Sequence, residues 1–110
     1  MSSVLSQLMR VIEERKANPP EKSYTTKLLQ GGVDAVGAKV TEEAAEVVEA
    51  AGEAGEEGRQ HLIREVADLF YHAMVMLAVR DATLDDVEQE LGRRFGVSGI
   101  DEKASRNPPS

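Results

Sequence analysis

The 110-residue chain contains no cysteine and no tryptophan. Without thiols, disulfide frameworks, zinc–thiolate sites and thiol nucleophiles are excluded, and a reducing compartment is allowed. Aromatic residues make up only 4% of the sequence, so a core must be assembled from aliphatic side chains and the four methionines, an inventory that suits a helical bundle. No run of about 18 apolar residues is present, as a membrane span requires. Residues 1–16, MSSVLSQLMRVIEERK, carry charge too early for a secretory leader. A cytoplasmic protein without membrane contact is expected. Positive charge is also scarce: 13 Lys+Arg stand against 20 Asp+Glu, for a formal net charge of -7. That balance disfavours nucleic acid as a partner, and an anionic substrate would have to arrive with a cation.

The length suits one domain, taken as residues 1–106 with a frayed tail at 107–110. Spacing of Val4, Leu5, Leu8, Met9, Val11 and Ile12 predicts a helix ended by Asn18-Pro19-Pro20, because proline cannot continue a helix. Residues 21–32 offer Ser and Thr caps and the pair Leu28–Leu29 before two glycines, which predicts a turn, a short helix and another turn. A second long helix is expected from about Asp34 into AGEAGEEG (residues 51–58), which reads as a flexible linker. A third, over residues 59–80, carries the stripe Leu62, Val66, Leu69, Phe70, Ala73, Met76 and Leu77. Thr83 is placed to cap a fourth helix that Gly96 closes, and SGIDEKASR (residues 98–106) follows as a short helical or irregular segment. The fold class is therefore all-α, a bundle of four to five helices. Apolar residues on both sides of the third helix, Phe70, Tyr71, Met74 and Met76 among them, exceed what a monomer of this size buries, so a homodimer or larger assembly is expected.

Residues 39–50, KVTEEAAEVVEA, pose the functional question. On a helical wheel Val36, Val40, Ala44, Val47, Val48 and Ala51 share one side, Glu42, Glu46, Glu49, Glu53 and Glu56 the other, and Glu43 falls at the border. A solvated face mixes charge signs four residues apart, whereas Glu42–Glu46, Glu49–Glu53 and Glu53–Glu57 are like-charge pairs, each unfavourable by roughly 0.2–0.5 kcal/mol. In the third helix His61, Glu65, Asp68 and His72 form a second polar stripe beside the apolar one. If the two helices are antiparallel neighbours, Glu43 and Glu46 meet Glu65 and Asp68. Four such carboxylates cannot all stay charged without a cation. Oxygen-only ligands select a hard ion, Mg2+ or Mn2+, and such an ion is readily shared with substrate phosphates. A di-iron bundle is disfavoured because neither histidine stands three residues after a glutamate. His72 lies one turn beyond Asp68, within reach of a hydrogen bond to it.

The pattern EExxE at Glu42, Glu43 and Glu46 followed by ExxD at Glu65 and Asp68 resembles the split acidic signature of the MazG-like all-α nucleoside triphosphate pyrophosphohydrolases. The flanking segments SYTTKLLQGG (residues 23–32), EVADLFYH (65–72) and RRFGVSGIDEKASR (93–106) extend the likeness to the phosphoribosyl-ATP pyrophosphatase family over nearly the whole chain. That resemblance implies Mg2+-dependent hydrolysis of phosphoribosyl-ATP to phosphoribosyl-AMP and pyrophosphate, the second step of histidine biosynthesis. It implies metal ligation by Glu43, Glu46, Glu65 and Asp68, with Glu42 and Glu46 catalytic and Glu42 either partnering the ligands or activating the water. Lys39, Ser23, Tyr24, Lys27, Arg94, Lys103 and Arg106 are candidates for phosphate and ribose contacts, although Lys39 is equally placed to pair with Glu42 or Glu43, and Tyr24 to join the core. Two other readings stay open: a house-cleaning pyrophosphatase for noncanonical nucleotides, and a non-catalytic helical dimer whose acidic face docks a basic partner.

Overall fold

The computed structural model describes residues 3–96. They form α1 (Val4–Ala17), α2 (Tyr24–Ala51), α3 (Gly55–Val79) and α4 (Leu84–Phe95), and no strand occurs among the described residues. The expected all-α class holds, with four helices described; residues 97–110, including the SGIDEKASR segment, lie outside that range. Among the described residues no helix is long and apolar enough to cross a membrane.

Short polar side chains start three of the helices. Ser3 and Ser23 each accept a backbone N–H three residues ahead, and Thr83 forms a reciprocal capping box with Asp86. The expected break before the second long helix contracts to one residue: Gly32 takes φ 69°, ψ -155° inside α2, so the short first segment and the long acidic segment meet at a kink rather than across a turn. Only glycine adopts that backbone conformation cheaply. The Gly-rich stretch is mostly not a linker. Residues 52–54 connect α2 to α3, and α3 begins at Gly55, four residues before the expected start. Gly58 lies so close to the connection that a Cβ there would come within 2.4 Å of the Glu53 carbonyl oxygen.

This three-residue connection folds α2 back along α3, the most extensive helix pair in the molecule, with α1 packed against both and α4 against α1. The core is aliphatic and methionine-rich, as composition required: Met9 and Ile12 from α1, Leu28 and Val36 from α2, and Met74, Val75 and Ala78 from α3. The buried stripes are rotated from those the wheels suggest. On α2 the inward line runs through Val36, Glu43 and Ala50, while Val48 is 74% exposed. Glu43 is thus inside the α2–α3 seam and not at a border. On α3 the inward line passes through His72, Val75 and Ala78, leaving Phe70 and Ile63 half exposed.

Candidate metal centre

Antiparallel packing of α2 and α3 brings the two acidic motifs together. Carboxylate oxygens of Glu42, Glu43 and Glu46 lie within 4.8 Å of one another, and so do those of Glu43, Glu65 and Asp68. The two triads overlap at Glu43, which is 7% exposed. One oxygen of Glu43 and one of Glu65 are buried without a hydrogen-bond partner among the described residues. Orphaned anionic oxygens of this kind are costly inside a protein, since burial removes the water that would otherwise solvate them.

The electrostatics follow from that crowding. Burial, then contact with Glu65 and the charges of Glu46 and Asp68, pushes the Glu43 carboxyl up to about 7. Contact with Glu65 and burial likewise raise Glu46. Glu65 is lowered, because Glu46 and then Glu43 can hydrogen-bond to it and His61 also lies beside it. The cluster by itself therefore holds less negative charge than its count of carboxylates. All its donor atoms are oxygen, several are anionic, and two are buried without partners among the described residues, which fits a hard divalent cation.

His61 is a member of this site that sequence reasoning undervalued. Its Nδ1 lies 2.8 Å from Glu53 Oε1 and its Nε2 3.2 Å from Glu65 Oε2. Both ring nitrogens thus face carboxylates, and Glu53 above all raises the imidazole above its usual value. The available signal was the spacing of four between His61 and Glu65; the link to Glu53 required knowing that the chain reverses at residues 52–54.

The other candidates separate clearly. Lys39 Nζ sits 4.0 Å from Glu42 Oε1, beside the cluster. Ser23 caps α2, and its Oγ accepts from Thr26 N and from Arg15 Nη1, both at 3.2 Å. Lys27 is exposed on the first segment of α2. Tyr24 is not core: it is 51% exposed, with its hydroxyl 3.1 Å from His72 Nε2. Arg94 is held by Glu90 on α4 at 2.7 Å, and the structure does not join it to the carboxylates. Lys103 and Arg106 lie outside the described residues. His72 does bond to Asp68, but through the backbone: Nδ1 is 2.9 Å from the Asp68 carbonyl oxygen.

Known proteins match this sequence over most of its length. A family profile described as phosphoribosyl-ATP pyrophosphohydrolase covers residues 5–95. A phosphoribosyl-ATP pyrophosphatase of Rhodopirellula baltica is 56% identical across 93% of this chain and 85% of the relative. One from Geotalea daltonii is 50% identical across 94% and 95%, and one from Paracoccus denitrificans 53% identical across 93% and 92%.

Proposed function

The chain belongs to the phosphoribosyl-ATP pyrophosphohydrolase family, and on that premise we propose how its own carboxylates serve the reaction. It hydrolyses phosphoribosyl-ATP to phosphoribosyl-AMP and pyrophosphate, the second step of histidine biosynthesis, and works in the cytoplasm. The observation that carries the site assignment is the pair of buried, partnerless oxygens on Glu43 and Glu65 where the two acidic triads overlap.

Glu43, Glu46, Glu65 and Asp68 would hold Mg2+ or Mn2+. Such an ion supplies Lewis acidity and neutralises phosphate charge. Glu42 shares a triad with Glu43 and Glu46 and is solvent-exposed, which supports a role in taking the proton from an attacking water, with Glu46 beside it. Lys39, beside Glu42, offers an ammonium to the phosphates. His61, 3.2 Å from Glu65 Oε2, helps to orient that carboxylate. Positioning and charge stabilisation then provide most of the rate, as in other phosphoryl chemistry.

A homodimer completes this reading. Phe70 (49% exposed), Ile63 (48%), Leu91 (47%) and Phe95 (50%) are more apolar surface than a small monomer leaves open. A groove of about 390 Å³ between α3 and α4, lined by Leu5, Phe70, Leu77, Val87 and Leu91, adds to it.

The deciding experiment is pyrophosphate release from phosphoribosyl-ATP, with and without Mg2+, beside ordinary and noncanonical nucleoside triphosphates. Metal-dependent release from phosphoribosyl-ATP alone, lost in Glu46→Gln, is expected. Release from noncanonical nucleotides instead would move the protein to the house-cleaning branch.

A further inference from the structure

Three of the few rings in this aromatic-poor chain gather at one place. Tyr24 opens α2, while Tyr71 and His72 lie late on α3. The His72 ring meets Tyr71 edge-on with centroids 5.0 Å apart, and Tyr24 edge-on at 6.1 Å; the two tyrosine rings are nearly parallel at 6.3 Å. The hydrogen bonds fix this group. A backbone carbonyl can only accept, so His72 Nδ1 donates to Asp68 O. In the neutral imidazole Nε2 must then accept, and the Tyr24 hydroxyl donates to it. Tyr71 is anchored in turn by its hydroxyl to Thr25 Oγ1.

The cluster is not remote from the carboxylates. His61, Glu65, Asp68 and His72 lie along one polar stripe of α3, so Tyr24 continues the acidic seam about one helical turn past Asp68. Burial does not account for its ring: Tyr24 is 51% exposed while His72, which holds its hydroxyl, is 6% exposed. Tyr24 is thus half open to solvent while its hydroxyl is held by a buried partner. Donating its proton to His72 also enriches the phenol ring in electrons, which makes a ring face a better seat for a cation.

Resting on the proposed substrate, we infer that Tyr24 is a specificity-determining residue whose ring face receives the nucleobase, and that it favours a purine alkylated at N1 over an unmodified one. In phosphoribosyl-ATP the second ribose is carried on adenine N1. Alkylation there makes the base more basic, so it carries a delocalised positive charge near neutral pH, whereas the adenine of ATP is neutral. A flat cation over a phenol face gains an attraction that a neutral base lacks, enough for about tenfold in affinity. The hydroxyl donates to His72, so a ribose contact at Tyr24 would use the acceptor capacity that remains on the phenol oxygen.

The test uses the full chain with Mg2+ and two probes, AMP and N1-methyl-AMP, as inhibitors of pyrophosphate release from phosphoribosyl-ATP. Wild type is expected to bind N1-methyl-AMP about tenfold more tightly than AMP. Tyr24→Leu should lose that preference and raise KM for phosphoribosyl-ATP several-fold with kcat within about twofold, whereas Tyr24→Phe, which keeps the ring, should retain most of it. Equal binding of the two probes by wild type, or an undiminished preference in Tyr24→Leu, overturns the inference. So does a Tyr24→Phe variant as impaired as Tyr24→Leu, which would assign the effect to the hydroxyl. Should Tyr24→Leu not fold by circular dichroism, Tyr24→Phe and Tyr24→Trp decide: both must keep the preference. Absence of pyrophosphate release by wild type would refute the substrate assignment instead, a different outcome from activity without base discrimination.

Discussion

Glu43 on α2 and Glu65 on α3 face each other across the helix seam, each with one carboxylate oxygen buried and partnerless among the described residues. The fold thus crowds acidic groups into the α2–α3 seam, which is the condition under which a cation contributes to both binding and folding.

Replacing Glu43 by Gln removes a buried acid from this seam. The metal-free variant should be at least as heat-stable as wild type, because the amide needs no counter-ion, while pyrophosphate release falls by at least a hundredfold. Calorimetry in EDTA together with the activity assay checks both halves; a variant that is much less stable and still active would contradict the role given to Glu43.

Stability of the metal-free protein should fall as pH rises. Glu43 titrates in the folded state at about 7 against 4.5 for an unperturbed group, so between these values the folded form binds more protons than the unfolded one. Stability present at low pH is therefore lost as pH climbs toward 7. The raised Glu46 acts in the same direction, and so does the raised His61 at higher pH. Lowered Glu65 acts oppositely, but below its ordinary value of 4.5. Melting temperatures from pH 5 to 8 in EDTA should decline, and saturating Mg2+ should flatten or reverse the trend. A flat profile in EDTA would be inconsistent with the burial of Glu43.

Gly32 sits at φ 69°, ψ -155°, within the kink of α2. Gly32→Ala should cost about 1–3 kcal/mol by forcing a side chain into this backbone region. Because the kink sets the angle between the segment bearing Tyr24 and the segment bearing Glu43, KM should rise as well. Denaturant melts and steady-state kinetics measure the two effects.

Thr83→Ala removes the capping box of α4 and should cost about 1 kcal/mol. Its melting temperature drops with kcat and KM unchanged, since no acidic ligand lies on α4. A large kcat loss would mean that α4 reaches the site.

Phe70, half exposed on α3, is the test of self-association. Phe70→Glu should shift the protein to monomer in analytical ultracentrifugation if the α3–α4 face is the dimer contact. An unchanged sedimentation coefficient would place the interface elsewhere.

The sequence by itself determined the all-α class and several helix ends, and it singled out the acidic residues from which the site is proposed. The caps at Ser23 and Thr83, the stop at Pro19-Pro20 and the close at Gly96 are local signals, and the structure realises each. The acidic motifs were also readable, because like charges four residues apart are unfavourable unless something neutralises them. What only the tertiary structure decided is direction. The choice of Glu43 as a buried residue, the exposure of Val48 and Phe70, and the meeting of His61 with Glu53 and of Tyr24 with His72 all depend on how α2 and α3 rotate against each other. A wheel assigns faces by average polarity within one helix, but which line of residues turns inward depends on how α2 and α3 pack against each other, with α2 kinked at Gly32 and Gly58 close against Glu53 of the connection.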